Sequence, residues 1–334
     1  MLPAFRRAIR LAAFGGLALF AIGSAAQSAA AQHAQTPIIA DLLDGRLSEH
    51  SLLDAALLAS GTEHRSEFAR HRFCIDRCVA VTREALQGDE SQVEIAAAAL
   101  QAIHHEILVG RFVDHCNNLA TTLDRGDFNC VTASVVFQIV AERLGLDSHV
   151  ELLPNHVRCQ LATATQHFTV ETTSATGIQP IDPHRHGRAI TPAQLVGKLY
   201  YNRALDLLLE RKFDQSLRHA DLAWQLDPQH VAARENVAIV RSHWAVAEAQ
   251  AGRFPAAISL LRGQPVSRTT TLDDSPSAAT ILSTAQVFVF RAWIEASHHV
   301  GSQRSTLRDQ LLLSIAEHPY DHRLLQMLQL VPSA

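Results

Sequence analysis

Apolar positions change their period twice along this chain, and the changes divide it. From about residue 61 to 125 they recur at alternating threes and fours. Val93, Ala96, Leu100, Ile103 and Ile107 form the clearest run, and this spacing predicts helices that bury one stripe. A further helix is expected over 131–144, with Val135, Val136, Ile139, Val140 and Leu144 on one side. After Gly145 the period falls to two. The stretches 148–153, 157–163 and 167–172 alternate, carry β-branched residues and predict three short strands. Pro180, Pro183, Gly187 and Pro192 then mark a linker, and from about residue 195 the helical period returns. Residues 32–60 are a lead-in of mixed character. The pattern predicts an α+β unit followed by an all-helical one.

The helical region repeats itself. Tyr200, Tyr201, Ala204, Leu207, Phe213, Ala220, Ala223 and Pro228 stand at the offsets of a tetratricopeptide repeat, a helix pair of about 34 residues. A second set runs through Trp244, Ala245, Gly252, Phe254, Ala257, Ile258 and Leu261. Phe213 and Phe254 are 254 − 213 = 41 positions apart. The excess over the standard period is about two helical turns, which preserves the packing face. A degenerate third pair is expected over 283–319, with Trp293, Leu311, Leu312 and Ile315. Such repeats bury a shared apolar face and present a concave side to a peptide. A protein partner there is one expectation, and a simple cap on the preceding unit is the other.

The N-terminus has a different character. Arg6, Arg7 and Arg10 precede an apolar stretch over 11–23, followed by small residues to Ala31. That order is the order of a secretory signal, with cleavage after Ala26 or Ala31. The apolar stretch is short for a membrane span, which takes about 20 residues. The expected organisation is therefore a signal peptide over 1–31, an α+β domain with a helical N-terminal part over 32–194, and a helical repeat domain over 195–334. The expected location is periplasmic or extracellular, with membrane attachment only if the signal stays uncleaved. Among 334 residues, 29 Lys plus Arg face 33 Asp plus Glu, a net charge of −4. This balance carries no electrostatic footprint for nucleic acid. Only Lys198 and Lys212 are lysines.

Five cysteines are few for a disulfide scaffold, and an odd count in an exported chain points to a free thiol. Cys74 and Cys78 share a helix face, where a bridge and two structural thiols are both open. His71 beside them, and Asp182 with His184 and His186, lack a second ligand pair at metal spacing, so no metal is expected. His104–His105 and His298–His299 are adjacent pairs that point apart. Cys130 is different. It follows Gly126-Asp127-Phe128-Asn129 and opens a helix, where the dipole and unpaired amides favour thiolate. A nucleophilic thiol needs a base, and the base a third group to orient it. His156 begins a strand and Glu171 ends the next. If those strands pair, the two lie side by side under the helix end. Cys159, three residues beyond His156, faces the opposite way and is expected in the core.

Phe128-Asn129-Cys130-Val131-Thr132-Ala133-Ser134, Gly145-Leu146-Asp147, Leu153-Pro154-Asn155-His156 and Val170-Glu171-Thr172-Thr173 resemble the transglutaminase-like superfamily. More narrowly they resemble bacterial proteins that join such a domain to tetratricopeptide repeats, over roughly residues 93–261. The resemblance implies a papain-like fold with Cys130 as nucleophile, His156 as base and Glu171 in the place of the acid, which is commonly Asp. It also implies peptide hydrolysis, amide deamidation or acyl transfer to amines, on protein or peptide substrates and without a cofactor. Oxyanion donors are expected among the amides at the Cys130 helix start, with Asn129. The alternative is a catalytically silent module that binds a partner peptide through the repeats.

Overall fold

The computed structural model describes residues 37–45, 47–182, 187–262, 278–297, 304–318 and 321–331. The expected signal segment, His184, His186 and the pair His298–His299 lie outside the described residues. A short helix, α1 (37–43), leads into α2 (Leu52–Ala59), α3 (Arg65–Glu84), α4 (Gln92–Glu106), α5 (Leu119–Arg125) and α6 (Cys130–Arg143). The strands β1 (Ser148–Leu153), β2 (His156–Ala162), β3 (His167–Val170), β4 (Ile178–Pro180) and β5 (Arg188–Ile190) follow. They form one antiparallel sheet in the order β4-β3-β2-β1-β5. The fold is α+β, as the change of period predicts.

Helix α4 starts where the sequence has its clearest stripe. Ser91 and Glu94 form a reciprocal capping box, and Ala96, Leu100 and Ile103 face the core. Between α4 and α5 the helical pattern expected over 61–125 is interrupted. Residues 107–118 run without regular structure, although their apolar spacing is still helical. Val113 N–H donates to Phe128 O, Phe128 N–H to Arg111 O, and Gly110 N–H to Gly126 O. These bonds between segments replace the ones a longer helix would make. Gly126 closes α5 at φ +79°, and a Cβ there would meet Gly110 N at 2.7 Å, so the strand-like passage needs glycine.

Helix α6 is the axis of this half. Val131, Ala133, Val135, Val136, Phe137, Ile139 and Val140 are all buried. The helix is therefore enclosed, rather than apolar on one side as its spacing suggested. Helices α2, α3 and α4 and strands β1 and β2 pack around it.

Helices α7 (Pro192–Leu209), α8 (Phe213–Leu226), α9 (Val231–Gln250), α10 (Phe254–Leu261), α11 (Ala278–Ser297), α12 (Arg304–Glu317) and α13 (His322–Gln329) complete the chain. Leu195, Leu199 and Tyr200 of α7 belong to the same apolar core as Ile103, Phe137 and Leu161. The boundary expected at 194/195 thus falls inside a continuous core, and α7 serves both regions. A second core joins Ala245, Phe254, Phe290, Trp293 and Leu311. Phe213 stacks on Trp244 at 6.4 Å between centroids, and Phe254 on Trp293 at 5.5 Å. Each pair joins the first residue of one helix to the C-terminal half of the next. Leu312, expected inward, is exposed, while Leu311 is buried. No helix among the described residues is long and apolar enough to cross a membrane.

Small residues sit where helices meet. Ala204, Ala220 and Ala245 are fully buried, and Ser216 Oγ donates to Ala204 O at 2.7 Å across the α7–α8 contact. Ala220→Trp should overpack this contact and lower stability by about 1–3 kcal/mol. Urea unfolding followed by circular dichroism checks it, and an unchanged midpoint would mean that Ala220 does not face α7.

Candidate active site

Local chemistry holds Cys130 at the first position of α6. Asn129 is the N-cap: its Oδ1 accepts from the Val131 and Thr132 amides at 3.0 Å each. Its own N–H donates to Thr132 Oγ1, also at 3.0 Å. The Asn129 side-chain amide then donates to Asp114 O at 3.1 Å and Asn117 Oδ1 at 3.0 Å. Both of its hydrogens are engaged, so Asn129 is a cap and a tether for the 107–118 segment. This corrects its expected place among the oxyanion donors. Of the first-turn amides, the Cys130 N–H is the one without a hydrogen-bond partner among the described residues.

The sheet brings the other two residues together. Pro154-Asn155 turns β1 into β2, which places His156 at the start of β2, opposite Leu153. Strand β3 pairs with β2 through Cys159↔Val170, so Glu171 follows at the level of Arg158. His156 and Arg158 are two residues apart and share a face. His156 Nε2 lies 2.6 Å from Glu171 Oε2. Cys130 and the same ring line one cleft and interact electrostatically, and with Nε2 turned to the carboxylate the nitrogen left for sulfur is Nδ1. The Glu171 backbone is pinned by its N–H donating to Gly177 O at 2.8 Å. A Cβ on Gly177 would collide with Glu171 O, so that loop also needs glycine.

Charge follows from these contacts. Burial alone would raise the Cys130 thiol, but hydrogen bonds from His156 and the Val157 amide, together with imidazolium charge, outweigh it and hold the thiol below its ordinary value. His156 is pushed up to about 9 by its bonds to Cys130 and Glu171. Glu171 is held low, first by His156 and further by Arg158. The three shifts run in one sense, toward thiolate, imidazolium and carboxylate. Three other cysteines go the opposite way: burial raises Cys116 and pushes Cys78 and Cys159 up to about 12. Cys159 is fully buried on the α6 side of β2, with its thiol 3.8 Å from Ser134 O. Cys74 and Cys78 are both free, and His71 bonds Asp124 rather than either thiol.

Behind the acid lies a second layer. Arg158 Nε donates to Glu151 Oε2 at 2.6 Å, and its NH1 is 3.7 Å from Glu171 Oε1. Glu151 also accepts from the Gly187 N–H at 2.6 Å. Carboxylate, guanidinium and carboxylate thus sit at adjacent positions on β1, on β2 and just past β3, with a cation beside the oxygen of Glu171 that does not touch His156.

Cys130 and His156 open onto a cleft of about 560 Å³, lined also by Phe112, Asp114, Asn117, Lys198 and Asp206. The sequence patterns did not select these five. For Lys198 there was a signal, since it is one of two lysines in a chain whose other cations are arginine. Phe112 and Leu209 are exposed at the cleft, at 53% and 84%. Compared with family models, curated proteins and solved structures, the chain matches none of them, which leaves Cys130, His156 and Glu171 to be judged by their own geometry.

Proposed function

We propose that this chain is an exported transglutaminase-like cysteine amidohydrolase or acyltransferase, joined to tetratricopeptide-like repeats and acting on protein or peptide amides. The observation that carries the reading is the His156–Glu171 hydrogen bond beside Cys130, with Cys130 and His156 at the wall of an open cleft. Of the cysteines whose thiols are shifted, Cys130 alone is shifted toward thiolate. The repeated Phe–Trp stacks in α8–α11 support the repeat part of the reading, and the order of the N-terminal residues supports export.

The residues divide the chemistry as follows. The Cys130 thiolate attacks the amide carbon, and the new oxyanion forms beside the Cys130 N–H at the positive end of α6. His156 Nδ1–H gives its proton to the leaving amine as the C–N bond breaks, which leaves a thioester on sulfur. The neutral imidazole then takes a proton from water or from a second amine as that nucleophile attacks the thioester. The C–S bond breaks and the thiolate–imidazolium pair returns. Glu171 keeps Nε2–H in place and offsets imidazolium charge throughout. Glu reaches one methylene further than the family's usual Asp, and the 2.6 Å bond shows that this reach closes on His156.

Iodoacetamide labelling at pH 6 tests the nucleophile. Cys130 should be the labelled residue in peptide mass mapping, and Cys130→Ala should abolish the fast phase. Glu171→Gln should slow it by about tenfold or more, because the imidazolium loses its counter-charge without losing the base. Uniform slow labelling of all accessible cysteines would defeat the enzyme reading. A Cys130→Ala protein that kept its full effect in the native host would favour a peptide-binding module built on the repeats.

A further inference from the structure

Lys198 stands out among the cleft's charges because its contacts do not satisfy it. Its ammonium lines the cleft and feels the Cys130 thiolate. Its polar neighbour is His230 Nε2, and its remaining contact is the Tyr201 ring, 5.5 Å away. No carboxylate among the described residues pairs with it. Asp227, the acid that most favours its charge, is already engaged by Arg188 and by Gln194 Nε2 at 3.2 Å.

The tautomer of His230 sharpens the problem. His230 caps α9, and its Nδ1 accepts from the Ala233 N–H at 2.9 Å. A neutral imidazole has one N–H, so the proton is on Nε2, the atom that faces Lys198. Burial and the Lys198 charge hold His230 at about 4, so the ring stays neutral near pH 6. Burial pushes Lys198 down to about 8, so at that pH it is an ammonium. The neutral ring therefore gives the Lys198 ammonium no counter-charge. A ligand carboxylate in the cleft would supply the missing counter-charge to Lys198. The other end of the cleft differs: Asp206 is eight residues along α7, about 12 Å away, and holds both oxygens toward Asn117.

We propose that Lys198 forms a carboxylate-binding subsite in the cleft that Cys130 lines, so that the amide substrate carries a carboxylate near its scissile bond. This rests on Cys130 being the nucleophile of the proposed function. The carboxylate has two sources, a chain-terminal α-carboxylate or an acidic side chain. Asp114 and Asp206 direct it away from their own end of the cleft.

Two matched pairs of alkylating reagents test it on the full chain at pH 6: iodoacetate against iodoacetamide, and N-iodoacetylglycine against N-iodoacetylglycinamide. The anionic member of at least one pair should react about tenfold faster at Cys130, the reverse of the order for an ordinary thiol. Lys198→Met should bring that ratio to one or below, and Lys198→Arg should keep most of it. The ratio cancels any change in the thiol itself. For the source, Ala-Ala-Gln with a free C-terminus and acetyl-Gln-Glu-amide are compared as protectants against iodoacetamide, and the better protectant identifies it. Equal or slower reaction of both anionic reagents overturns the subsite, as does a preference that Lys198→Met leaves intact. Failure of iodoacetamide itself to label Cys130 overturns the nucleophile and the subsite together, so the two failures are told apart.

Discussion

His156→Ala is expected to slow alkylation of Cys130 at pH 6 by two to three orders of magnitude. In the native site the thiol is ionised below its ordinary value because His156 donates to it and carries a positive charge nearby. Without the ring, burial is left as the main influence, and burial raises a thiol. An unassisted cysteine near 8.5 is only about 0.3% thiolate at pH 6, which sets the size of the drop. The pH profile should move as well. The wild-type rate should be flat from mildly acidic pH to about 9 and change there, where His156 loses its proton. Its folded value lies above its ordinary 6.5, so the stabilisation from the charged ring is fully present below 6.5. That stabilisation is lost as pH rises through about 9. Stopped-flow alkylation across pH 5–10 measures both, and an identical profile in His156→Ala would show that the imidazole does not act on the thiol.

Arg158→Met should lower stability by about 3–5 kcal/mol, the largest effect expected of any substitution that leaves the three reacting residues in place. Arg158 and Glu151 are 6% and 3% exposed at their side chains. Burial would raise the Glu151 carboxyl, but the Gly187 amide and Arg158 hold it low. Removing the guanidinium leaves a buried carboxylate with only the Gly187 amide and Gln160 beside it, and takes from Glu171 Oε1 its nearby cation. The Glu151→Gln/Arg158→Met pair should recover part of the loss, because the uncompensated charge is gone. In that double variant Cys130 alkylation should stay slower than wild type, since Glu171 has still lost the cation beside its second oxygen. Guanidinium unfolding of the four proteins in the cycle gives the coupling. Additive losses would mean that Arg158 and Glu151 do not act as a pair.

Much of this protein could be read from local pattern, and for a physical reason. Helix capping, strand alternation and turn chemistry depend on neighbours within a few residues. The α4 stripe, the Asn129–Cys130 helix start, the three strands over 148–172 and the small residues of α7–α9 were therefore visible in the sequence. So were Cys130, His156 and Glu171, because a thiol at a helix start and a base and acid on successive strands need only a hairpin and its neighbour to meet.

What the sequence did not decide depends on bonds between distant segments. Residues 107–118 keep a helical spacing yet give it up, because Arg111 and Val113 bond Phe128 instead. Helix α6 has apolar residues on nearly every side, and only packing shows that it is enclosed. Asn129 has the composition of an oxyanion donor, but Asp114 and Asn117, 15 and 12 positions earlier, take both of its hydrogens. Lys198 and His156 belong to different elements, and neither the cleft that both line nor the buried Arg158 behind the acid has a local signature. The three site residues were therefore set by short-range pattern. Their supporting layer, their open wall and the boundary that α7 erases were set by which surfaces the chain buries together.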